Sequence, residues 1–407
     1  MKKIVIIGGG AAGLLCAAKS ALKGNDVTVI EKMPRPARKL MITGKGRCNV
    51  TNATFELNEL IDNVPTNPRF LYSAFSSFMP YDTMALFEEL GVPLKIERGN
   101  RVFPVSDKAV DIVDALVGYC KNSGAKIITG TAKAFEMNDN AITSVILEDN
   151  SRVQCDAVAI CTGGKSYPMT GSTGDGYILA RSVGHTVTPI KPSLVPLVCP
   201  NNFISKLQGL SLKNISVKLF EDNKEIYKDF GEMIFTHFGL SGPVILSASS
   251  HIRNMGKRKY RIFIDLKPAL DEITLDKRIL RDFSELSNKN FINSLSKLLP
   301  KKLIPVIVLL SGIEPSAKVN QISREQRLEL VRLIKNFQVD ISDFRSVEEA
   351  IVTSGGVSVS EIDPKTMRSK LVDNLYFAGE VIDVDAYTGG FNLQIAFSTA
   401  NLCAENM

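Results

Sequence analysis

The sequence lacks several features that would assign it to particular protein classes. Its seven cysteines have no C-x-x-C or C-x-x-H spacing, which argues against a zinc site, an iron–sulfur cluster or a disulfide framework, so no metal is expected. No apolar run approaches the roughly 20 residues that cross a bilayer. The apolar stretch Ile4 to Ile7 is too short for the hydrophobic region of a signal peptide. We therefore expect a cytoplasmic protein with no membrane partner, because a reducing compartment permits scattered thiols.

Long runs of one charge, internal repeats and low-complexity tracts are also absent. The chain carries 49 Lys and Arg against 43 Asp and Glu, a net charge of +6, with no block of five or six basic residues. So mild an excess argues against a nucleic-acid partner and is compatible with a small anionic ligand. With 407 residues, 44% of them hydrophobic, the chain is long enough for two or three globular domains. The oligomeric state stays open.

The first thirty residues follow a strand–turn–helix–strand pattern. An apolar, β-branched run at Lys3 to Ile7 is typical of a strand buried on both faces of a parallel sheet. The glycine-rich GGGAAG follows, and Ala11 to Lys23 has the composition of a helix. A second strand, Val27 to Ile30, ends at Glu31. This order predicts a dinucleotide-binding βαβ unit.

Each glycine of this motif has a separate physical role. Gly8 permits the tight turn, Gly10 lets the backbone approach a pyrophosphate, and Gly13 lets the helix pack on the strand. The amides at the helix N-terminus then face the phosphate charge. Glu31 is placed to accept hydrogen bonds from both ribose hydroxyls, which favours FAD or NAD over NADP.

Two later segments also suit a phosphorylated, hydrogen-bonding ligand. Residues Arg38 to Asn52 combine glycines with basic and amide side chains in one loop. Cys48 in this loop suggests redox chemistry, but a small buried thiol is the commoner role for an isolated cysteine. Near the other end, an apolar strand at Leu375 to Ala378 is followed by glycines and by a predicted helix from Leu393 to Cys403, a second strand–glycine–helix junction.

Between these segments the pattern changes. Strands at Gly124 to Thr129 and Ala141 to Leu147 predict an antiparallel excursion that returns to the sheet at Ala157 to Cys161. Short alternating strands from about Pro192 to Lys267 predict an inserted β-barrel or sandwich, and residues 271–336 have helical spacing. No second strand–GxGxxG–helix pattern occurs, so a dedicated nicotinamide domain is not expected.

The chain resembles the BaiN/YhiN-like flavoprotein family over essentially its whole length. Some members of that family are described as aminoacetone oxidases or bile-acid reductases. The resemblance lies in motifs that occur in the family's order: GGGAAG, GRCNVTN at 46–52, RVFPVS at 101–106, CTGGKSYP at 161–168, GSTGDG at 171–176, FTHFGLSGP at 235–243 and LYFAGEVIDVDAYTGGFNLQIA at 375–396. Lys45, where a small residue is expected, departs from the pattern.

The resemblance implies an α/β fold with a Rossmann-like FAD-binding domain, an inserted β-barrel domain and a small helical domain. The expected boundaries are 1–191 with 355–407 for the FAD-binding domain, 192–270 with 337–354 for the β-barrel, and 271–336 for the helical insert. It also implies non-covalent FAD, with NAD(P)H as a possible transient reductant. The residues implied to bind FAD are Gly8, Gly10, Ala12, Gly13, Glu31, Lys32, Lys39, Gly46, Arg47, Cys48, Asn49, Lys133, Thr162, Gly163, Gly379, Glu380, Asp383, Asn392 and Leu393.

Three functions stay open at this stage. The first is an NAD(P)H-dependent two-electron reductase of a C=C or C=O bond in a small, partly apolar substrate. The second is an oxidase of a small amine that produces hydrogen peroxide. The third is a flavin-containing redox sensor or RNA-associated binding protein. If a side chain acts as acid or base, His237 and Tyr167 are the candidates, because both lie in turn-rich segments that resemble the family's substrate-facing loops.

Overall fold

The computed structural model describes residues 1–407, which form two units. The first unit contains residues 1–193 and 346–407, and the second contains residues 194–345. In chain order the strands are β1 Lys3–Ile7, β2 Asp26–Glu31, β3 Thr51–Asn52, β4 Leu94–Glu97, β5 Arg101–Pro104, β6 Lys126–Thr129, β7 Ala132–Asn138, β8 Ala141–Leu147, β9 Arg152–Gln154, β10 Ala157–Ile160, β11 Lys191–Ser193, β12 Leu197–Val198, β13 Ser211–Glu221, β14 Lys224–Phe235, β15 Gly239–Ser241, β16 Tyr260–Asp265, β17 Phe337–Ile341, β18 Asp343–Phe344, β19 Val352–Ser354 and β20 Leu375–Phe377.

Twelve α-helices connect or cover these strands. They are α1 Ala11–Leu22, α2 Arg38–Ile42, α3 Leu57–Asp62, α4 Tyr72–Ser77, α5 Pro80–Glu89, α6 Ala109–Asn122, α7 Asp175–Ser182, α8 Pro243–Ser249, α9 Glu272–Glu285, α10 Ile304–Ser311, α11 Arg324–Lys335 and α12 Phe391–Asn406. No helix combines the length and apolar character needed to cross a bilayer.

The first unit is built on a five-stranded sheet in the order β20-β10-β1-β2-β6, with all neighbours parallel. The inner strands β1 and β10 are apolar and almost wholly buried, as expected for a sheet with both faces covered. Helix α1 packs on this sheet beside α6 and α12. The chain passes from β1 to β2 and β6 on one side and reaches β10 and β20 on the other. This reversal opens a crevice at the carboxyl ends of β1 and β10.

The predicted α/β fold with a Rossmann-like domain is therefore confirmed, but one strand assignment is wrong. Strand β6 belongs to the parallel sheet, where it pairs with β2, and is not part of the antiparallel excursion. That excursion consists of β7, β8 and β9. We missed β7 because its residues from Glu136 to Asn138 are all exposed, the apolar Met137 included, so no buried face marks it as a strand.

The second unit contains a seven-stranded sheet in the order β17-β16-β13-β14-β15-β12-β18. Its pairs are antiparallel, and alternate residues such as Val217, Leu219, Ile262 and Ile264 point into the core. Helices α9, α10 and α11 pack into that same core. The helical spacing predicted within residues 271–336 is confirmed, whereas the division of this region into separate β-barrel and helical domains stays a prediction.

Candidate cofactor and active site

The carboxyl edge of the parallel sheet brings together residues from both ends of the chain. Gly8 follows β1, Glu31 ends β2, Thr162 comes two residues after β10, and Gly379 comes two residues after β20. These four positions span more than 370 residues of sequence. They meet because parallel strands end at one edge, which is where ligands bind in open α/β sheets.

The glycine-rich turn leaves open space at one position and none at two others. A Cβ on Gly8 would lie 2.6 Å from the Cys161 carbonyl oxygen, and one on Gly13 would lie 1.8 Å from the Gly8 carbonyl oxygen. A Cβ on Gly10 would meet no atom within 4 Å. Gly10 is also the N-cap of α1 and provides no side chain for the first amides of that helix. This open, amide-lined turn fits a pyrophosphate.

The carboxylate of Glu31 is held in place by two backbone amides. Gly9 N–H donates to Oε2 and Met33 N–H donates to Oε1, each at 2.7 Å. Each oxygen keeps a lone pair, so the group can still accept from a ribose. The neighbouring Lys32 points elsewhere, because its Nζ lies 2.5 Å from Asp175 Oδ2 at the start of α7.

Lys39 joins helix α2 to the loop after β20. Its Nζ donates to Glu380 Oε2 and to Ser166 Oγ, both at 2.7 Å. The other carboxylate oxygen of Glu380 accepts from the Thr353 amide at 2.9 Å. Lys39 and Glu380 are each about 20% exposed, so this ion pair is mostly shielded from water.

Five buried polar atoms of the first unit have no hydrogen-bond partner within the chain: Ser20 Oγ, Asn49 Oδ1, Thr162 Oγ1, the Tyr177 hydroxyl and Asp385 Oδ1. Burial raises the pKa of Tyr177, and the negative charges of Glu380 and Asp383 add to this effect, so its hydroxyl keeps its proton. Buried polar groups are nearly always satisfied. Atoms left without a partner are therefore consistent with a polar ligand, and Asn49 and Thr162 are among the residues predicted to bind FAD.

The loop with Arg47 and Cys48 is structured largely by the chain itself. The Arg47 guanidinium lies 2.5 Å from both Glu97 Oε1 and Asp107 Oδ1, and these hydrogen bonds raise the pKa of Arg47. Cys48 is fully buried, and burial raises the pKa of its thiol to about 12. A protonated, enclosed thiol is a poor nucleophile. Gly46 beside them is exposed, at φ +82°.

The second strand–glycine–helix junction presents backbone amides. Gly390 is the N-cap of the 16-residue helix α12 and offers no side chain to the amides of residues 391–393. The Asn392 side chain donates to the Ala386 carbonyl at 2.8 Å and accepts from the Ala386 amide at 2.9 Å, so it shapes the preceding loop. Leu393 is half-buried. The predicted backbone contact of this turn with the flavin therefore has free N–H groups available.

The remaining residues predicted to bind the cofactor differ in backbone conformation and in burial. Gly163 and Gly379 have positive φ, Ala12 is buried in the first turn of α1, and Asp383 is half-buried after β20. Lys133 is exposed on β7. Their roles in binding stay predictions.

The two predicted acid–base residues lie in different units. Tyr167, in the first unit, is half-buried with φ +52°, and its amide donates to the Glu348 carbonyl at 3.2 Å. Burial raises the pKa of Tyr167, and the charge of Glu349 adds to this effect. His237, in the second unit, is exposed in the turn between β14 and β15, with its ring 5.0 Å from that of Phe238.

Sequence reasoning missed Ser166, Thr353 and Tyr177. Ser166 lies within the motif CTGGKSYP, and Tyr177 directly follows GSTGDG, so motif position is a sequence signal for both residues. Thr353 gave no such signal. It is positioned by the pairing of β19 with β11, two strands about 160 residues apart.

Comparison with known proteins gives consistent results. The family described as HI0933-like protein Rossmann domain matches residues 2–406. A 3-dehydro-bile acid delta(4,6)-reductase of Clostridium scindens is 31% identical over 99% of this chain and 98% of its own length. A ribosomal RNA dihydrouridine synthase of Haemophilus influenzae is 33% identical over 98% of this chain and 97% of its own.

The same fold occurs among solved structures. A 3-ketosteroid delta1-dehydrogenase from Sterolibacterium denitrificans, in complex with 1,4-androstadiene-3,17-dione, aligns with a TM-score of 0.52 over 100% of this chain and 99% of its own, at 12% identity. At that identity the likeness concerns the fold.

Proposed function

Because the chain belongs to the HI0933-like family, we propose that it is an FAD-dependent oxidoreductase that reduces a C=C bond conjugated to a carbonyl group. Its family already identifies the chain as an FAD-dependent oxidoreductase. The choice of reaction is supported by the names of the relatives. A delta(4,6)-reductase saturates C=C bonds of a bile acid, and a dihydrouridine differs from uridine by two hydrogens across a ring C=C bond beside a carbonyl.

The observation that best supports FAD at this site is the unfilled polar edge of the parallel sheet. The open turn at Gly10 and the amides of α1 suit the pyrophosphate, and the Glu31 carboxylate suits the ribose. Asn49 and Thr162 have unpaired polar atoms for the flavin end, and the amides at the start of α12 suit the pyrimidine edge. When bound, FAD supplies two-electron chemistry, which allows a hydride to pass from a donor to an acceptor.

The residues of the chain would orient the reactants and manage protons. Amides at the start of α12 favour negative charge beside them. Tyr167 is protonated at neutral pH, as an ordinary tyrosine is, and burial raises its pKa further, so its hydroxyl is available as a donor. Saturating a C=C bond consumes one hydride and one proton, and NAD(P)H would supply the hydride and leave as NAD(P)⁺. With no second glycine-rich fingerprint in the chain, NAD(P)H would bind transiently.

Two substrate classes are compatible with this chemistry. The first is a small, partly apolar unsaturated ketone, as in the bile-acid relative. The second is a uracil base in RNA, as in the ribosomal RNA relative, and the charge distribution favours it. Residues 194–345 contain 24 Lys and Arg against 16 Asp and Glu, so the second unit carries +8 while the rest of the chain carries −2. Such a basic unit attracts a polyanion.

The reaction can be tested in two half-reactions. The purified yellow protein is mixed anaerobically with NADH or NADPH, and flavin bleaching is followed. A conjugated steroid ketone or a uridine-containing RNA transcript is then added. We expect the flavin colour to return with one of these acceptors, together with one equivalent of saturated product by mass spectrometry. Reoxidation by oxygen only, with stoichiometric peroxide and turnover of a small amine, would instead support the oxidase.

A further inference from the structure

The second unit exposes a face of its seven-stranded sheet on which aromatic and basic side chains are interleaved. We name it the outer sheet face. It consists of six residues: Lys218, Phe220, Lys228, Phe230, Arg261 and Phe263. On β13 and β16 these residues alternate with core residues such as Leu219 and Ile262, so they point away from the core.

The aromatic rings of this face do not contribute to the core. Phe220 and Phe263 lie on the neighbouring strands β13 and β16, with ring centroids 5.0 Å apart and planes at 71°. Neither ring belongs to the hydrophobic core of the unit or packs against it. Phe230 on β14 is 53% exposed. Phe220 and Phe263 are partly exposed, and the hydrated surface of the three rings is unfavourable and would be covered by a stacking ligand.

The cations lie between the rings. Lys218 and Lys228 are directly opposite each other on β13 and β14. Like charges at such a pair destabilise a sheet, and an anion between them would relieve this repulsion. Glu225 Oε2 lies 3.6 Å from Lys218 Nζ, while Lys228 has no ion-pair partner. The Arg261 guanidinium lies 5.9 Å from the centre of the Phe263 ring.

Acidic groups near this face are already engaged. Asp265 at the end of β16 pairs with Lys335 at 2.6 Å. Asp340 on β17 accepts hydrogen bonds from the side chains of Asn201 and Gln338. Lys335 therefore compensates the charge of Asp265, whereas the amide donors stabilise the Asp340 carboxylate without neutralising it. The net charge of the second unit as a whole is positive.

We propose that the outer sheet face binds single-stranded RNA, with the phenylalanine rings stacking on bases and Lys218, Lys228 and Arg261 contacting phosphates. A sheet that displays aromatic rings among cations is suited to unpaired nucleotides, because every base has a face that can stack and every nucleotide carries a phosphate. A small unsaturated ketone has no phosphates for the paired lysines. The proposal rests on the RNA substrate of the proposed function and adds the surface that holds the strand.

Binding is measured with the full-length flavoprotein and a fluorescein-labelled 12-nucleotide oligouridylate, by anisotropy at several salt concentrations. One variant, F220L/F263L, keeps apolar side chains but removes two rings, and we expect it to bind about tenfold more weakly or worse. A second, K218Q/K228Q, should also bind more weakly, and the slope of log K against log salt should fall by about 1.4 because two phosphate contacts are lost.

A matched control removes the same charge elsewhere in the second unit. Lys277 on α9 and Lys289 after it are exposed on the helical layer, so K277Q/K289Q should bind like the unsubstituted protein. Thermal unfolding and the flavin spectrum check that each variant is folded. Equal binding by all proteins, or an equal loss in the control, would overturn the proposal. So would equal competition by polyglutamate of similar length, since a surface that recognises charge alone does not select RNA.

The test also separates this proposal from the proposed function. A protein that reduces a conjugated ketone but does not bind the oligouridylate is a C=C reductase without this RNA surface. A protein that binds the oligouridylate through the outer sheet face but saturates no C=C bond has the surface and a different reaction.

Discussion

The Lys39 ammonium and the Glu380 carboxylate, 341 residues apart in the chain, form an ion pair at 2.7 Å. The pair links α2 to the loop after β20, and Ser166 and Thr353 supply further hydrogen bonds. Because it lies at the carboxyl edge of the sheet, the pair connects two segments of the candidate FAD site through the protein itself. Its contribution to stability can be separated from its contribution to binding.

We expect Lys39→Met and Glu380→Gln each to lower the stability of the apo-protein by about 1–3 kcal/mol, because each leaves a largely buried polar group without its charged partner. The double variant should lose less than the sum of the two. Thermal unfolding of the four proteins measures this coupling. The exposed pair Arg35–Asp114, at 2.9 Å, is the control and should couple by about 0.5 kcal/mol or less. Strict additivity at Lys39 and Glu380 would show that their contact contributes no net energy.

Alanine at Gly10 and at Gly13 should have different effects. A Cβ on Gly10 enters open space, so Gly10→Ala should leave the melting temperature of the apo-protein unchanged and weaken FAD binding at least tenfold. A Cβ on Gly13 meets the Gly8 carbonyl oxygen at 1.8 Å, so Gly13→Ala should destabilise the fold itself. FAD titration of both apo-proteins measures the affinity, and thermal unfolding measures the melting temperature. Tight FAD binding by Gly10→Ala would exclude this turn as the pyrophosphate site.

Glu31→Gln should reduce FAD affinity by about 10-fold to 100-fold. The amide keeps the shape of the carboxylate but loses its charge and replaces one acceptor by a donor. The loss follows because a hydrogen bond to a charged group contributes about 1.5–3 kcal/mol. Glu148→Gln, in the exposed turn after β8, is the matched control. Fluorescence titration of the apo-proteins with FAD gives both affinities. Unchanged affinity in the Glu31 variant would remove this residue from the ribose site.

Tyr167→Phe tests the proton donor. If the hydroxyl protonates the substrate, the variant should reoxidise with the unsaturated substrate about 10²-fold to 10⁴-fold more slowly, while flavin reduction by NAD(P)H keeps its rate. Stopped-flow absorbance measures the two half-reactions separately. His237→Ala is examined in the same way for the second candidate. If a variant matches the unsubstituted protein in the rates of both half-reactions, the substituted residue is not the acid.

Cys48 should make the first unit sensitive to alkali. The pKa of the folded thiol, about 12, exceeds the ordinary value of 9.0, so below pH 9 the thiol is protonated in both states and stability does not depend on it. Between pH 9 and 12 only the unfolded chain loses the proton, and the free energy of unfolding then falls by up to about 1.4 kcal/mol per pH unit. Urea unfolding at pH 8 to 10.5 measures the slope. Cys48→Ala should reduce the slope by this amount, while Cys120 and Cys155, whose pKa values burial also raises, keep contributing. An unchanged slope would contradict this assignment.

Local sequence predicted the parts of the site that are made locally. Strand β1, the glycine turn, α1 and β2 follow one another within 31 residues, so hydrophobic periodicity and glycine spacing were enough to place them. The helix after Gly390 was predicted for the same reason, although it starts two residues earlier and ends three residues later than expected. Strand β7 was missed because its exposed residues carry no alternating pattern.

Averages over the chain concealed a feature that depends on the division into units. The net charge of +6 argued against nucleic acid, yet the second unit alone carries +8. The outer sheet face likewise depends on the tertiary structure. Phe220 and Phe263 are 43 positions apart, and only the antiparallel register of β13 and β16 places their rings side by side.

The sequence by itself determined the family, the α/β fold and the class of cofactor, because those depend on motifs whose residues are neighbours along the chain or recur in a fixed order. Tertiary structure decided which side chains meet. It joined Lys39 to Glu380, paired Arg47 with Glu97 and Asp107, enclosed the Cys48 thiol and left Asn49 and Thr162 with unpaired atoms. The physical reason is that hydrogen bonds, ion pairs and burial depend on distance in space, which strand order and register set and which separation along the chain does not reveal.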